Sequence, residues 1–232
     1  MTSRKTETES DAMIKAVIFD MDGVLIDSEI VYLRHQTNIL QKTYPWIKET
    51  HLYPLVGMDS KEDKVYLADL LGRDANDPAF LRELHDISCS VEVDYRAIMR
   101  IAVPSLLAGL KKDGYRIALA SSSPRSNIMQ VMAECGIESC FECIVSGEQF
   151  ARSKPDPEIY FFTMNQIGVQ PEECLIVEDS TYGVQAGSAA GAHVAALKDP
   201  RFPFDQSQAE FHISSLEEIP QILNILQKEH GR

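Results

Sequence analysis

The stretch IKAVIFDMDGVLIDS, residues Ile14–Ser28, decides the fold. Ile14–Phe19 is too short for a helix, and Val17, Ile18 and Phe19 make it apolar on both faces. Such a run belongs to a strand buried inside a parallel sheet. It stops abruptly at Asp20-Met21-Asp22-Gly23. Asp20 and Asp22 are two residues apart, so in an extended chain both carboxylates point to one side. Two adjacent carboxylates repel, and something positive is expected beside them.

Downstream of residue 104 the pattern alternates. Helices expected near 104–112, 124–135, 157–167 and 181–190 precede strands at Arg116–Ala120, Cys143–Val145, Leu175–Glu178 and His193–Leu197. Gly136, Gly168 and Gly191 close three of these helices. A short strand at Phe211–Ile213 and a helix after Pro220 end the chain. Strands alternating with helices mean an α/β domain, a parallel sheet with helices on both faces.

Between Glu29 and about Met99 the texture is helical instead. Ile30, Leu33, Thr37 and Leu40 form one stripe, Ser60 with Asp63 opens a helix ended by Gly72, and Asp77-Pro78 starts another carrying Leu81, Leu84, Ile87 and Val91. The helical block 29–98 therefore interrupts a core made of 13–28 and 99–232, and polar residues 1–12 read as a flexible tail.

In such sheets ligands bind beyond the carboxyl ends of the strands. The first strand is followed by Asp20, Asp22 and Gly23, and the second by Ser121, Ser122 and Ser123. Lys154-Pro155-Asp156-Pro157 comes shortly after the third, and Glu178-Asp179-Ser180 ends the fourth. Each has an ordinary explanation alone: an acidic turn, helix capping before Pro124, a surface lysine, acids at a helix start. Their joint arrival at successive strand ends argues for a site. Clustered carboxylates with few His or Cys nearby favour a hard ion, Mg²⁺.

Composition narrows the function classes. The 232 residues exceed one average domain of ~150 residues. The content is ordinary for a globular chain, 44% apolar and 25% charged. The net charge of −13 argues against nucleic acid and against an anionic membrane surface. No apolar run reaches the ~20 residues of a membrane span, and no signal peptide is evident. Cys89, Cys135, Cys140, Cys143 and Cys174 read as reduced thiols of a cytoplasmic protein. Cys140-x-x-Cys143 lacks the second pair that zinc would need.

These motifs together resemble the haloacid dehalogenase superfamily of phosphatases and phosphomutases. The resemblance rests on Asp20-Met21-Asp22-Gly23-Val24 with Asp27-Ser28, Ala120-Ser121-Ser122-Ser123, Lys154-Pro155-Asp156-Pro157, Glu178-Asp179-Ser180, and Gly183, Ala186 and Gly191. It implies a Rossmann-like core and an inserted helical cap hinged near 26–32 and 94–104. By the family's mechanism Asp20 is the nucleophile that forms an aspartyl-phosphate. Asp22 is the general acid and then the base, its backbone carbonyl also binding Mg²⁺. Asp179 ligates the metal with Glu178 assisting, Ser121 and the Ser122 N–H hold phosphoryl oxygens with the helix start behind them, and Lys154 neutralises charge. Gly23 and Ser123 complete the expected phosphate site. A second acid counts against dehalogenation, because a departing halide needs no proton.

Tyr32, Gly57–Lys61, Ser123 and Pro124 are expected to face the substrate, a small phosphorylated metabolite, in a monomeric enzyme. The nearest branch is the β-phosphoglucomutase-like one. Its mutases carry a His where this chain has Tyr32, and an Arg in the cap loop where this chain has Met58, Asp59 and Ser60. Both departures favour a phosphatase over a mutase. A non-catalytic binder of phosphorylated ligands is the reading from another class, and the presence of Asp20, Asp22 and Lys154 speaks against it.

Overall fold

The computed structural model describes residues 13–56 and 60–229. The expected tail at 1–12 lies outside the described residues. So do positions 57–59 of the expected substrate-facing loop, and the side chains of Ser60 and Lys61.

A six-stranded parallel sheet forms the centre, in the order β3-β2-β1-β4-β5-β6. Its strands are β1 (Ala16–Phe19), β2 (Arg116–Ser121), β3 (Cys143–Ser146), β4 (Cys174–Glu178), β5 (His193–Leu197) and β6 (Phe211–Ile213). Side chains of β1 alternate, as a strand requires. Val17 and Phe19 join one apolar cluster with residues of α6 (Val103–Lys112), α7 (Arg125–Cys135) and α10 (Ile219–Glu229). Ala16 and Ile18 join the opposite cluster with α8 (Glu158–Gln166) and α9 (Thr181–Ala189). Helices thus cover both faces. No helix among the described residues is long and apolar enough to cross a membrane.

The strand order reverses direction at β1, which pairs with β2 on one side and β4 on the other. Ligand crevices form at such a switch point. Phe19 lies opposite both Leu119 and Val177, so the residues leaving these three strands emerge together.

Between β1 and α6 the regular elements among the described residues are helical: α1 (Glu29–Thr43), α2 (Glu49–Leu52) with a short 3-10 turn after it, α3 (Ser60–Leu71), α4 (Pro78–Cys89) and α5 (Tyr95–Ile98). The expected stripe of α1 is buried, including Thr37, whose hydroxyl donates to Leu33 O at 2.8 Å. On α4 the expected stripe needs correction. Ile87 is buried as expected, but Leu81, Leu84 and Val91 are half-buried, Val91 lies past the helix end, and Phe80 is the other buried anchor. Asp77 caps this helix, accepting from Ala79 N–H. The helices share an apolar cluster of their own, with Leu40, Leu52, Leu67 and Phe80 buried in it. Tyr95 packs instead into the core cluster under the sheet.

Two backbone bonds tie the chain leaving β1 to the chain returning from α5. Asp27 N–H donates to Ile98 O at 2.9 Å, and Arg100 N–H donates to Leu25 O at 3.0 Å.

Candidate active site

Asp20 follows β1 without breaking the ladder, since its N–H still donates to Val177 O of β4. The backbone then turns away through Gly23, which has a φ of 73°. A Cβ at Gly23 would overlap the Asp179 carboxylate, so glycine lets the β1 turn and the β4 end touch. Gly183 does the same for Glu178, whose carboxylate fills the space a Cβ would take.

Lys154 joins these strand ends. Its buried ammonium donates to Asp20 Oδ1 at 2.7 Å, to Glu178 Oε1 at 2.6 Å and to Ala120 O at 3.0 Å. Glu178 is fully engaged: Tyr160 OH donates to its Oε1 at 2.6 Å, and Asp179 N–H donates to its Oε2 at 3.0 Å. Ser180 caps α9, accepting from Gly183 N–H. A bond from the buried Gln206 amide to Asp179 O, beside its 2.9 Å bond to Leu197 O, fixes the Asp179 backbone. The same loop after β5 reaches the helical block, where Phe202 is buried, and its Arg201 pairs with Asp27 and Asp199.

Asp22 sits apart from this knot. Its Oδ1 accepts from Ser28 Oγ and its Oδ2 from Ser123 Oγ, both at 2.6 Å. Ser28 therefore spends its hydroxyl on Asp22 and not on capping α1.

A pocket of about 770 Å³ opens over these groups. Asp20, Asp22, Lys154, Asp179, Ser121, Ser122 and Ser123 line it, and so do Tyr32 and Pro124. Two expected site residues do not reach its wall. Gly23 lies beneath Asp179, where its carbonyl accepts from Arg100, and Glu178 lies behind Lys154. Ser121 Oγ accepts from Ser123 N–H at 3.1 Å, which shapes the turn. The first amide of α7 donates to Glu148 at 2.7 Å, so an acidic side chain already meets that helix start.

Four residues of this region carry no signal in the sequence. Glu29, Tyr95 and Asn127 line the pocket. Tyr160 is a buried residue that reads as plain core from its place on α8. Only contact across the fold reveals them.

One oxygen from each of Asp20, Glu178 and Asp179 lies within 4.8 Å of the others, the one such metal-competent group among the described residues. Burial pushes the Asp20 carboxyl up to about 8, Lys154 opposing and Glu178 and Asp22 adding to the rise. Burial likewise holds Asp179 well above the carboxylate range, with the charges of Glu178 and Asp20 behind it. Burial works against the Lys154 charge, but Asp20 and Glu178 outweigh it and hold the ammonium above the usual lysine range. Glu29 rises to about 8 for similar reasons, burial first and then the Asp22 charge. The pocket thus holds more carboxylate than one ammonium neutralises.

The Asp20 shift gives stability a sign. From the ordinary value of 3.8 up to about 8 the folded state keeps a proton that the unfolded chain has lost, so this contribution is present at low pH and fades through about 8. Asp20→Asn should therefore gain stability relative to wild type as pH rises across that window in chelator. Melting curves of both proteins check this, and a gap that narrows upward in pH would contradict it.

Known proteins resemble this chain in sequence and fold. A family model of haloacid dehalogenase-like hydrolases matches residues 17–197. A phosphorylated carbohydrates phosphatase of Thermotoga maritima is 29% identical over 181 residues, covering 77% of this chain and 82% of that one. Hexitol phosphatase B of Escherichia coli K12 is 29% identical over 228 residues, covering 89% and 94%. Among solved structures, a HAD-family hydrolase of Deinococcus radiodurans R1 with bound phosphate and sodium superposes with a TM-score of 0.74 at 27% identity, over 93% of this chain and 97% of that one. With the motif residues gathered at the switch point of the sheet, this chain belongs to the haloacid dehalogenase-like hydrolases.

Proposed function

We propose that the chain is a magnesium-dependent phosphatase of small phosphorylated metabolites, sugar phosphates foremost, working through an aspartyl-phosphate on Asp20. The observation that carries this reading is the Lys154 ammonium joining Asp20 to Glu178, with Asp179 alongside and Asp22 held separately at the pocket wall. Two relatives named for phosphorylated carbohydrates and hexitols support the substrate class.

The excess of buried oxygen donors suits a hard divalent ion. Asp20, Asp179 and the Asp22 backbone carbonyl would hold Mg²⁺, with Glu178 assisting from behind. Bound there, Mg²⁺ supplies charge compensation between the carboxylates and the incoming phosphate.

Lys154 occupies Asp20 Oδ1, and Oδ2 is the oxygen that attacks phosphorus. The new Asp20–phosphorus bond forms as the bond to the leaving oxygen breaks, and that oxygen takes a proton from Asp22. Water then attacks phosphorus, gives its proton back to Asp22, and frees Asp20 with inorganic phosphate. Ser28 and Ser123 hold the Asp22 carboxyl in the position from which it serves both halves. The nucleophile must be ionised to attack: the Lys154 ammonium opposes the burial that raises Asp20, and a bound cation would work in the same direction. Ser121 and Ser122 meet the phosphoryl oxygens, and Gly23 admits the Asp179 contact that completes the floor. Phosphoryl transfer is governed by positioning and charge in this way.

Residues 29–98 form the cap over the pocket, and the paired crossing at Asp27–Ile98 and Leu25–Arg100 is its hinge. Closure excludes water from the phosphoaspartate until the leaving group departs.

The test is a panel of sugar phosphates, polyol phosphates and nucleotides assayed for phosphate release with Mg²⁺. Release is expected with sugar or polyol phosphates and should stop in excess chelator. Turnover that continues in chelator removes the metal role. Conversion of β-glucose 1-phosphate without net phosphate release makes the protein a mutase instead.

A further inference from the structure

Three side chains from three elements form a polar chain at the pocket wall. Tyr95 OH on α5 donates to Asn127 Oδ1 on α7 at 2.7 Å. The Tyr32 hydroxyl on α1 lies 3.1 Å from the Tyr95 hydroxyl. A phenol has one proton to give. Tyr95 has given its proton to Asn127, so it accepts from Tyr32, and the Tyr32 proton is committed away from the substrate. What remains on Tyr32 is lone pairs, one of them met by the Asn127 amide.

Burial holds both phenols above their ordinary range, yet the contact between them raises Tyr32 and lowers Tyr95. Donation from Tyr32 to Tyr95 has that effect. Tyr95 is 5% exposed within the core cluster, so the orientation is anchored in the sheet domain. Lys154 is the sole lysine or arginine among the described residues lining the pocket, and it is engaged with Asp20 and Glu178. The described wall offers a second anionic group on the substrate no lysine or arginine of its own.

We infer that Tyr32 is a specificity-determining residue that accepts a hydrogen bond from a hydroxyl on the substrate's carbon chain. Tyr95 and Asn127 are the positioning residues that keep it acceptor-only. The inference rests on the phosphatase reading and deepens it: the selected substrates are hydroxyl-bearing monophosphates, and chains without a hydroxyl are discriminated against.

Binding to the Asp20→Asn protein reads this without turnover. Titrated calorimetrically, a hexitol 6-phosphate should bind about tenfold more tightly than hexyl phosphate, the worth of one hydrogen bond left unmade in the poorer ligand. Tyr32→Phe in that background should erase the preference, and Tyr95→Phe should reduce it with Tyr32 still present. A merely structural role would weaken both ligands alike. Equal affinities in the parent, binding of neither ligand, or a preference that survives Tyr32→Phe overturns the inference. Phosphate release by the wild-type protein is read separately. Turnover without discrimination defeats the inference alone, and discrimination without turnover defeats the phosphatase reading alone.

Discussion

Asp20→Asn is expected to lower phosphate release by on the order of 10⁴-fold or more while leaving the fold in place. The amide keeps the size of the carboxylate but has no anionic oxygen to form a bond to phosphorus. Its oxygen can still accept from Lys154, so the packing at the head of β1 survives. The fold is not at risk for a second reason. Asp20 is an acid that burial disfavours in its charged form, and its neutral isostere removes that cost. Steady-state assays with circular dichroism and melting curves check both halves. Wild-type-like turnover in a folded Asp20→Asn protein would refute the nucleophile assignment.

Lys154→Met is expected to damage both activity and stability. The methionine keeps the apolar stem beside the Tyr160 ring, which the ammonium approaches to 5.0 Å, but strips the charge. Asp20 and Glu178 then face each other with no counter-ion, in a place where both side chains are nearly inaccessible to water. Breaking a buried pair by removing one partner costs about 3–5 kcal/mol. In a chain of this size that lowers the melting temperature by roughly 10 °C. Turnover should fall by on the order of 10³-fold, because the charge that steadies the transferring phosphoryl group is gone. The stability loss should shrink at low pH, where the stranded carboxylates take up protons. Denaturant and thermal unfolding at neutral and acid pH would show this, and a Lys154→Met protein as stable as wild type would mean the ion pairs carry no weight.

How much of this was legible beforehand depends on the range of the signal. Repeating patterns were readable. The α1 stripe, the Asp77 cap and His193–Leu197 stand where period and turn chemistry place them. Edges shifted by a residue where a polar side chain ends a buried strand: β2 runs on to Ser121 and β3 to Ser146, because the ladder binds the backbone whatever the side chain is. The four-residue helices α2 and α5 escaped notice, being too short to show a period. On α4, Ile87 is buried as expected, but Phe80 took a buried place expected of Leu81, Leu84 and Val91, since the core it meets is set by neighbouring helices.

The site divides the same way. Asp20, Asp22, Lys154 and Asp179 announce themselves because strand ends in a parallel sheet converge by geometry alone. Tyr160 on Glu178, Ser123 on Asp22 and Tyr95 on Asn127 do not, for they join residues 18, 101 and 32 positions apart.

The order of strands and helices, and with it the identity of the charged groups at the head of the sheet, was determined by the chain as written. Apolar periodicity and strand ends are local properties, fixed by backbone sterics and by burial over a few residues. Which carboxylate holds the lysine, which is held by hydroxyls, and which way the Tyr32 proton points were decided only by the tertiary structure. Hydrogen bonds form over about 3 Å, and that proximity arises only once distant segments have packed.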